Sequence, residues 1–540
     1  MLPFGLFVLN GLCLRLKIHC YGTFMQGAGA TLMPESSHSD ERARGNLKRL
    51  GTQIGNYGVG ILIPAILSLL SSALFTRMFP TDEYGNYAIV LSLATFFTSL
   101  VGQWIQQPLG RWLAAATSSE REPLFRATWL AFGFIAFGLF VLGGLAQCLI
   151  TIPHAFRPYY WVTVCYIWLQ ILFTTSALIF QASLRAASYA LYQVTFAVLR
   201  LALSFVFCSV LFHSPVGLMW GTVVATLCVV PIMLFKTGML RAILNPGRNA
   251  SQPIWSTFRR MSQYGLPMLG WFAAANVLST SDRLVIAAYR GNAEAGVYTA
   301  NYNLVSGTVG LVTAPVLAAL WPFLMTSWNR GSRRETGRWL GTIVSLMVAA
   351  GVLLCGAIWA IAKEAAVILL GPAFREGAGV LPIVVGGVVL STVGTYTHKP
   401  FEFCGRTYVM MWLALITAAS NVVLNLLFVP RWGYMAAAWS TLACYALYAL
   451  LTAILSQRLL RWHVSMSPIV TASLASASGV SSANIVSDCL HWTGFGVPLI
   501  QLFIKASVFT MSVTIVLTTV YRRKLVTYWY QVRAARSSTG

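Results

Sequence analysis

Fourteen apolar stretches, most of them about twenty residues long, follow one another down the chain. They lie near 58–78, 85–107, 127–151, 160–181, 190–212, 215–235, 265–289, 299–325, 341–362, 380–397, 408–429, 433–455, 467–487 and 497–520. About twenty apolar residues cross the hydrocarbon core of a bilayer as a helix, and a spanning segment must satisfy its backbone hydrogen bonds internally. The pattern predicts an all-α membrane protein, a bundle of about fourteen transmembrane helices with short connections. The stretch 467–487, rich in Ser, Ala and Gly, is the weakest of the set. Charge is scarce in the same sense: 9% of the residues are Asp, Glu, Lys or Arg, against about 25% in a soluble domain.

The net charge of +23 would suit a nucleic-acid binder, but a membrane protein collects Lys and Arg in its cytoplasmic loops. With the N-terminus inside, 26 of the 37 basic residues fall in inner loops and tails, and six in outer loops (Arg77, Arg157, Arg290, Lys363, Arg375, Arg431). Arg200, Arg283 and Lys505 lie within the stretches, and Arg15 and Lys17 near the start. The division predicts a multi-pass protein with both termini in the cytoplasm, and no nucleic-acid partner. The ten cysteines are scattered without a Cys-x-x-Cys pair, eight of them in or beside apolar stretches, and read as structural thiols of a lipid-embedded core. Residues 1–24 hold an apolar run too short to span, without a clear cleavage site. Either the start lies later, at Met25 or Met33, or this segment is a helix on the membrane surface.

An echo runs through the chain. Glu83-Tyr84-Gly85-Asn86-Tyr87 follows the first stretch, and Glu294-Ala295-Gly296-Val297-Tyr298 follows the seventh, 211 residues on. Pro215-x-Gly217-x-Met219 is answered by Pro430-x-x-Gly433-x-Met435, with 216 residues between the glycines. Six stretches per repeat is an even number, so the halves share orientation, and repeats of this kind place the substrate path between them. The expected organisation is a leader at 1–49, six-helix lobes at 50–240 and 241–463, an added helix pair at 464–521 and a basic tail at 522–540.

Three blocks carry a family likeness. Phe79-Pro80-x-x-Glu83-Tyr84-Gly85-x-Tyr87 resembles the signature turn of polysaccharide (Wzx-type) flippases, as does Asp282-Arg283-Leu284 leading into Gly296-Val297-Tyr298. Asn421-x-x-x-Asn425, Pro430-x-x-Gly433 and Ala436-Ala437-Ala438-x-Ser440-Thr441 resemble that family's Asn-rich helix, outer turn and small-residue helix. The likeness covers about 45–455. It implies a two-lobed, V-shaped alternating-access transporter that moves undecaprenyl-diphosphate-linked oligosaccharide across the bacterial inner membrane for O-antigen or exopolysaccharide synthesis. Polysaccharide polymerase and chain-length machinery would be its partners. The superfamily also holds multidrug/cation antiporters and peptidoglycan-precursor flippases, and its commonest form has twelve spans rather than fourteen.

Such a substrate asks for a wet basic cavity, and for no catalytic group, cofactor or metal. A diphosphate suits Arg or Lys, and sugars suit amides, hydroxyls and aromatic rings. Arg200 stands about ten residues, roughly 15 Å, from the inner end of its stretch. An intramembrane arginine marks either a functional site or a packing contact to backbone carbonyls. Arg283 is a second diphosphate candidate. Its neighbour Asp282, the one acidic residue read as lying inside a span, is a candidate for coupling. Arg77 and Arg111, at the ends of the first two spans, could bind substrate or snorkel to headgroups. Asn421 and Asn425 share a helix face and could meet sugar or another helix. The chief rival is a multidrug/cation antiporter, which would need carboxylates in the N-terminal spans, and these have none. A membrane polymerase or ligase would need long outer loops. A nucleotide-driven pump is excluded, since none of the seven lysines follows a glycine, as a phosphate-cradling loop requires.

Overall fold

The computed structural model describes residues 36–113, 116–244, 254–329, 331–492 and 498–537. The start-site question, with Met25 and Met33, lies outside these residues, as do Arg248 and Arg330 of the charge division. The described chain is helical and contains no strand. Helices α1 (Ser36–Met78), α2 (Thr81–Leu113), α3 (Ser118–Leu149), α4 (Tyr160–Ala182), α5 (Ala186–Val206) and α6 (Val216–Thr237) form the first half. After the short α7 (Met239–Leu244) and α8 (Ile254–Gly265) come α9 (Leu269–Arg290), α10 (Asn292–Asn329), α11 (Arg333–Leu369), α12 (Val380–Thr397), the short α13 (Lys399–Phe403) and α14 (Thr407–Ser456). The chain closes with α15 (Met466–Trp492) and α16 (Pro498–Ser537).

Each of the fourteen predicted stretches falls largely on helix among the described residues. Among the described residues, eleven helices are long and apolar enough to cross a membrane. The difference has identifiable sources. The stretches 408–429 and 433–455 count together as α14, which runs through a kink, α9 is diluted by Ser279-Thr280-Ser281-Asp282-Arg283, and the stretch 299–325 on α10 is not among the eleven. Within α14, Gly433 leaves helical geometry at φ 59° and ψ −149°. A side chain is strained in that region, and a Cβ there would also lie 2.7 Å from Glu294 Oε2. Outside α14, proline, glycine and acidic residues mark the breaks. Pro80 follows α1, Asp82 and Glu83 occupy the positive first turn of α2, and Gly238 and Gly291 end α6 and α9 with positive φ.

Helix pairing repeats between the halves. In the first, α1 packs on α5, α2 on α4, α4 on α6 and α3 on α4; in the second, α9 and α12 pack on α14, α10 on α12 and α11 on α12. The halves meet where α2 packs on α9 and α10, and α1 on α10. Buried hydroxyls follow the logic of a waterless interior. Thr128, Thr175, Thr222, Thr226 and Thr452 each donate to the carbonyl four residues earlier. Helices α15 and α16 pack on α11, where Lys505 Nζ meets Glu364 Oε1 at 2.5 Å with both side chains buried. This corrects the reading of Asp282 as the one acidic residue within a span: Glu364 lies two residues past the predicted end at 362, on a helix that continues to Leu369.

Candidate functional site

The two echoed turns, far apart in sequence, touch each other at the end that the charge division assigns to the outside. A Cβ on Gly85 would overlap the carbonyl oxygen of Asn292, and one on Gly296 that of Thr81. Only glycine lets the two backbones come this close. Around them Asn292 Nδ2 donates to Asn86 Oδ1 at 2.6 Å, Gly371 N donates to Thr76 Oγ1 at 3.0 Å, and Tyr84 meets Phe374 edge-on at 5.3 Å. Arg77 belongs to this seam. Its guanidinium donates to the carbonyls of Ala73 at 2.6 Å and Ile368 at 2.5 Å, joining the ends of α1 and α11.

Beneath the seam lie two intramembrane arginines, one from each half. Arg283, on α9, is buried; it donates to Ser92 Oγ on α2 at 3.3 Å and Asn303 Oδ1 on α10 at 3.5 Å, and rests 4.7 Å from the Tyr302 ring centre. Its Nε is buried with no hydrogen-bond partner. Arg200, on α5, is half-buried, with Tyr87 and Tyr166 within its electrostatic reach. Tyr84, on α2, is within electrostatic reach of both guanidiniums. Among the described residues neither arginine forms an ion pair. Asp282 is fully buried and turned another way, accepting from the Arg283 backbone N–H at 2.9 Å and from the Tyr298 hydroxyl. A narrow crevice lined by Tyr298, Tyr302, Thr441 and Tyr445 runs behind it.

The other predicted residues stand elsewhere. Asn421 and Asn425 are fully buried and join helices. Ser281 Oγ donates to Asn421 Oδ1 at 3.0 Å, Asn425 Nδ2 donates to the same oxygen at 3.2 Å, and Asn421 Nδ2 donates to Thr441 Oγ1 at 3.2 Å. Arg111 lies 24 residues beyond Tyr87 on α2, about 36 Å away at the helical rise. Sequence reasoning missed Ser92, Tyr302, Asn303 and Tyr445 as site members. The four-residue spacing from Tyr298 to Tyr302, which puts both rings on the face below the signature turn, could have exposed one of them. Among the described residues no three His, Cys, Asp or Glu side chains gather to hold a metal ion. The arrangement offers donors for an anion and one enclosed carboxylate for a proton or cation.

The described residues form a helical bundle of two halves with matching helix pairing, and eleven of the helices are long and apolar enough to cross a membrane. Residues 50–328 match the family of polysaccharide biosynthesis proteins, and the chain belongs to that family. A segment of 162 residues is 25% identical to the succinoglycan biosynthesis transport protein ExoT of Rhizobium meliloti (strain 1021). That match covers 30% of this chain and 32% of ExoT, about a third of the relative's length. The fold is similar to that of the lipid II flippase MurJ in an inward closed conformation, with a TM-score of 0.68 and 14% identity over 87% of this chain and 99% of that one. It is similar as well to an inward-facing multidrug resistance MATE transporter, with a TM-score of 0.60 and 12% identity over 74% of this chain and 97% of that one.

Proposed function

We propose that this transporter is a flippase for undecaprenyl-diphosphate-linked oligosaccharide, serving surface polysaccharide assembly (O-antigen or exopolysaccharide) in the bacterial inner membrane. The observation that carries the reading is the pair Arg200 and Arg283, drawn from opposite halves, each within electrostatic reach of Tyr84 and neither with an ion-paired carboxylate among the described residues. A guanidinium within a membrane is costly until water or an anion meets it, and a diphosphate presents oxygens to both at once. The seam at Gly85 and Gly296 closes the outer end, so substrate loads from the inner side and leaves when the seam parts. Lobes at 50–240 and 241–463 move against each other, with 464–521 as an added pair. Both termini lie in the cytoplasm, and a polymerase with its chain-length machinery receives the product. Asp282, enclosed beside Arg283, is the coupling group.

A deletion strain should accumulate lipid-linked repeat units and lose surface glycan, and the wild-type chain should restore both. Arg200→Ala should insert to normal abundance without restoring export, and Arg200→Lys should restore part of it, keeping the charge without the bidentate fork. Normal export by Arg200→Ala at normal abundance sinks the diphosphate role. The enclosed Asp282 favours one other reading, a multidrug/cation antiporter. In that case substrate efflux, and not lipid-linked glycan, would change in the deletion strain.

A further inference from the structure

A second basic feature lies at the far end of α2, on the face assigned to the cytoplasm. Arg111 and Trp112 project from α2, and Arg260 and Tyr264 from α8. The four interleave: the Arg111 guanidinium rests 4.9 Å from the Tyr264 ring centre, the Tyr264 and Trp112 rings are 5.9 Å apart, and Arg260 rests 4.5 Å from the Trp112 ring centre. Two aromatic rings are thus capped at either end by a guanidinium, and each element supplies one of each kind.

Both arginines are exposed, and among the described residues neither has a carboxylate ion pair. Glu120 is the acidic group within electrostatic reach of Arg260. Its carboxylate is engaged in capping α3, accepting from Thr117 N at 2.8 Å and Thr117 Oγ1 at 2.9 Å. A guanidinium seated on a ring is held in place while its N–H edge stays open to an oxyanion. Helix α8 also sits as a headgroup-level helix should. Thr257, Met261 and Gly265 are buried toward α2 and α3, while Ile254 and Trp255 are exposed beside Arg259 and Arg260. Tryptophan and arginine together on the open face of an amphipathic helix match the interface between acyl chains and headgroups.

We infer that the Arg111–Tyr264–Trp112–Arg260 stack is a receptor for the phosphate of a membrane-anchored lipid at the inner face. It is separate from the Arg200–Arg283 site and rests on the orientation argued under the proposed function. The phosphate belongs either to the polyprenyl diphosphate cargo before loading or to an anionic phospholipid.

The test uses the full-length chain in phosphatidylcholine nanodiscs, with binding read by native mass spectrometry. Undecaprenyl diphosphate is titrated in one arm and phosphatidylglycerol in the other. Arg111→Gln and Arg260→Gln should each weaken one of the two ligands about tenfold, the scale of a lost charge-assisted hydrogen bond. Lysine at both positions should recover only part, since the stacked fork is gone, and the thermal midpoint should stay within error of wild type. The arm that weakens names the source. Equal binding of both ligands by wild type and the double Gln variant overturns the receptor. Arg200→Ala in the diphosphate arm keeps the two ideas apart. A loss there with none from the Gln pair removes the inner receptor alone, and the reverse counts against Arg200 while the receptor stands.

Discussion

Arg283 and Asn421 show how differently two buried polar residues can be used within a few turns of each other. Arg283 keeps one buried N–H without a partner and makes two hydrogen bonds at 3.3 and 3.5 Å, long for a charged donor. Asn421 is satisfied on both sides of its amide by Ser281, Asn425 and Thr441. The first is poised for a ligand and the second welds α9 to both arms of α14. Asn421→Ala should therefore lower unfolding stability by about 1–2 kcal/mol, since it removes several hydrogen bonds each worth about 0.6 kcal/mol between membrane helices, while export per inserted molecule is preserved. A variant of wild-type stability that fails to export would return Asn421 to the sugar path. The sequence displayed both residues as polar letters in apolar runs. What it lacked was the partner across the helix interface, and that decides which of them keeps a donor unpaired.

Helices inherit their roles from the same kind of contact. The final pair α15–α16 lies outside the internal echo, yet it is joined to α11 by the buried Glu364–Lys505 ion pair. Glu364→Gln or Lys505→Met alone strands the other charge in a dry interior and should cost about 3–5 kcal/mol. The double variant should recover most of that in a double-mutant cycle read by thermal unfolding in detergent, and additive losses would show that the two groups do not interact. The α1–α2 and α9–α10 turns make a second case. Gly85→Ala puts a methyl group into a backbone carbonyl, so the outer seam cannot close. With Cys at position 292, a membrane-impermeant maleimide should label Gly85→Ala chains faster than chains keeping Gly85, and equal labelling would mean that the seam is not held by that glycine. Apolar runs and turn residues made the helices legible, and the Glu-x-Gly-x-Tyr echo pointed to matching halves. That the two echoes form one seam was not legible, because close approach between Gly85 and Asn292 depends on a fold that joins positions more than 200 residues apart. Glu364 escaped for a simpler reason: hydropathy ends a span where charge begins, and here the charge is paired within the bundle.

At the scale of the molecule, the proposed function joins the seam and the two arginines into one device: a closed outer end over a basic site to which both halves contribute. The account's central claim is that this device carries a diphosphate-linked glycan through the bilayer, and reconstitution tests it most directly. Full-length chain in liposomes should move a fluorescent polyprenyl-diphosphate oligosaccharide from one leaflet to the other, read as the fraction open to an impermeant quencher over time. The wild-type rate should exceed that of empty liposomes, and Arg200→Ala, incorporated equally, should fall about tenfold or more, as the loss of a charge-assisted contact implies. A wild-type rate no greater than that of protein-free liposomes, or an Arg200→Ala rate equal to wild type, would contradict the account.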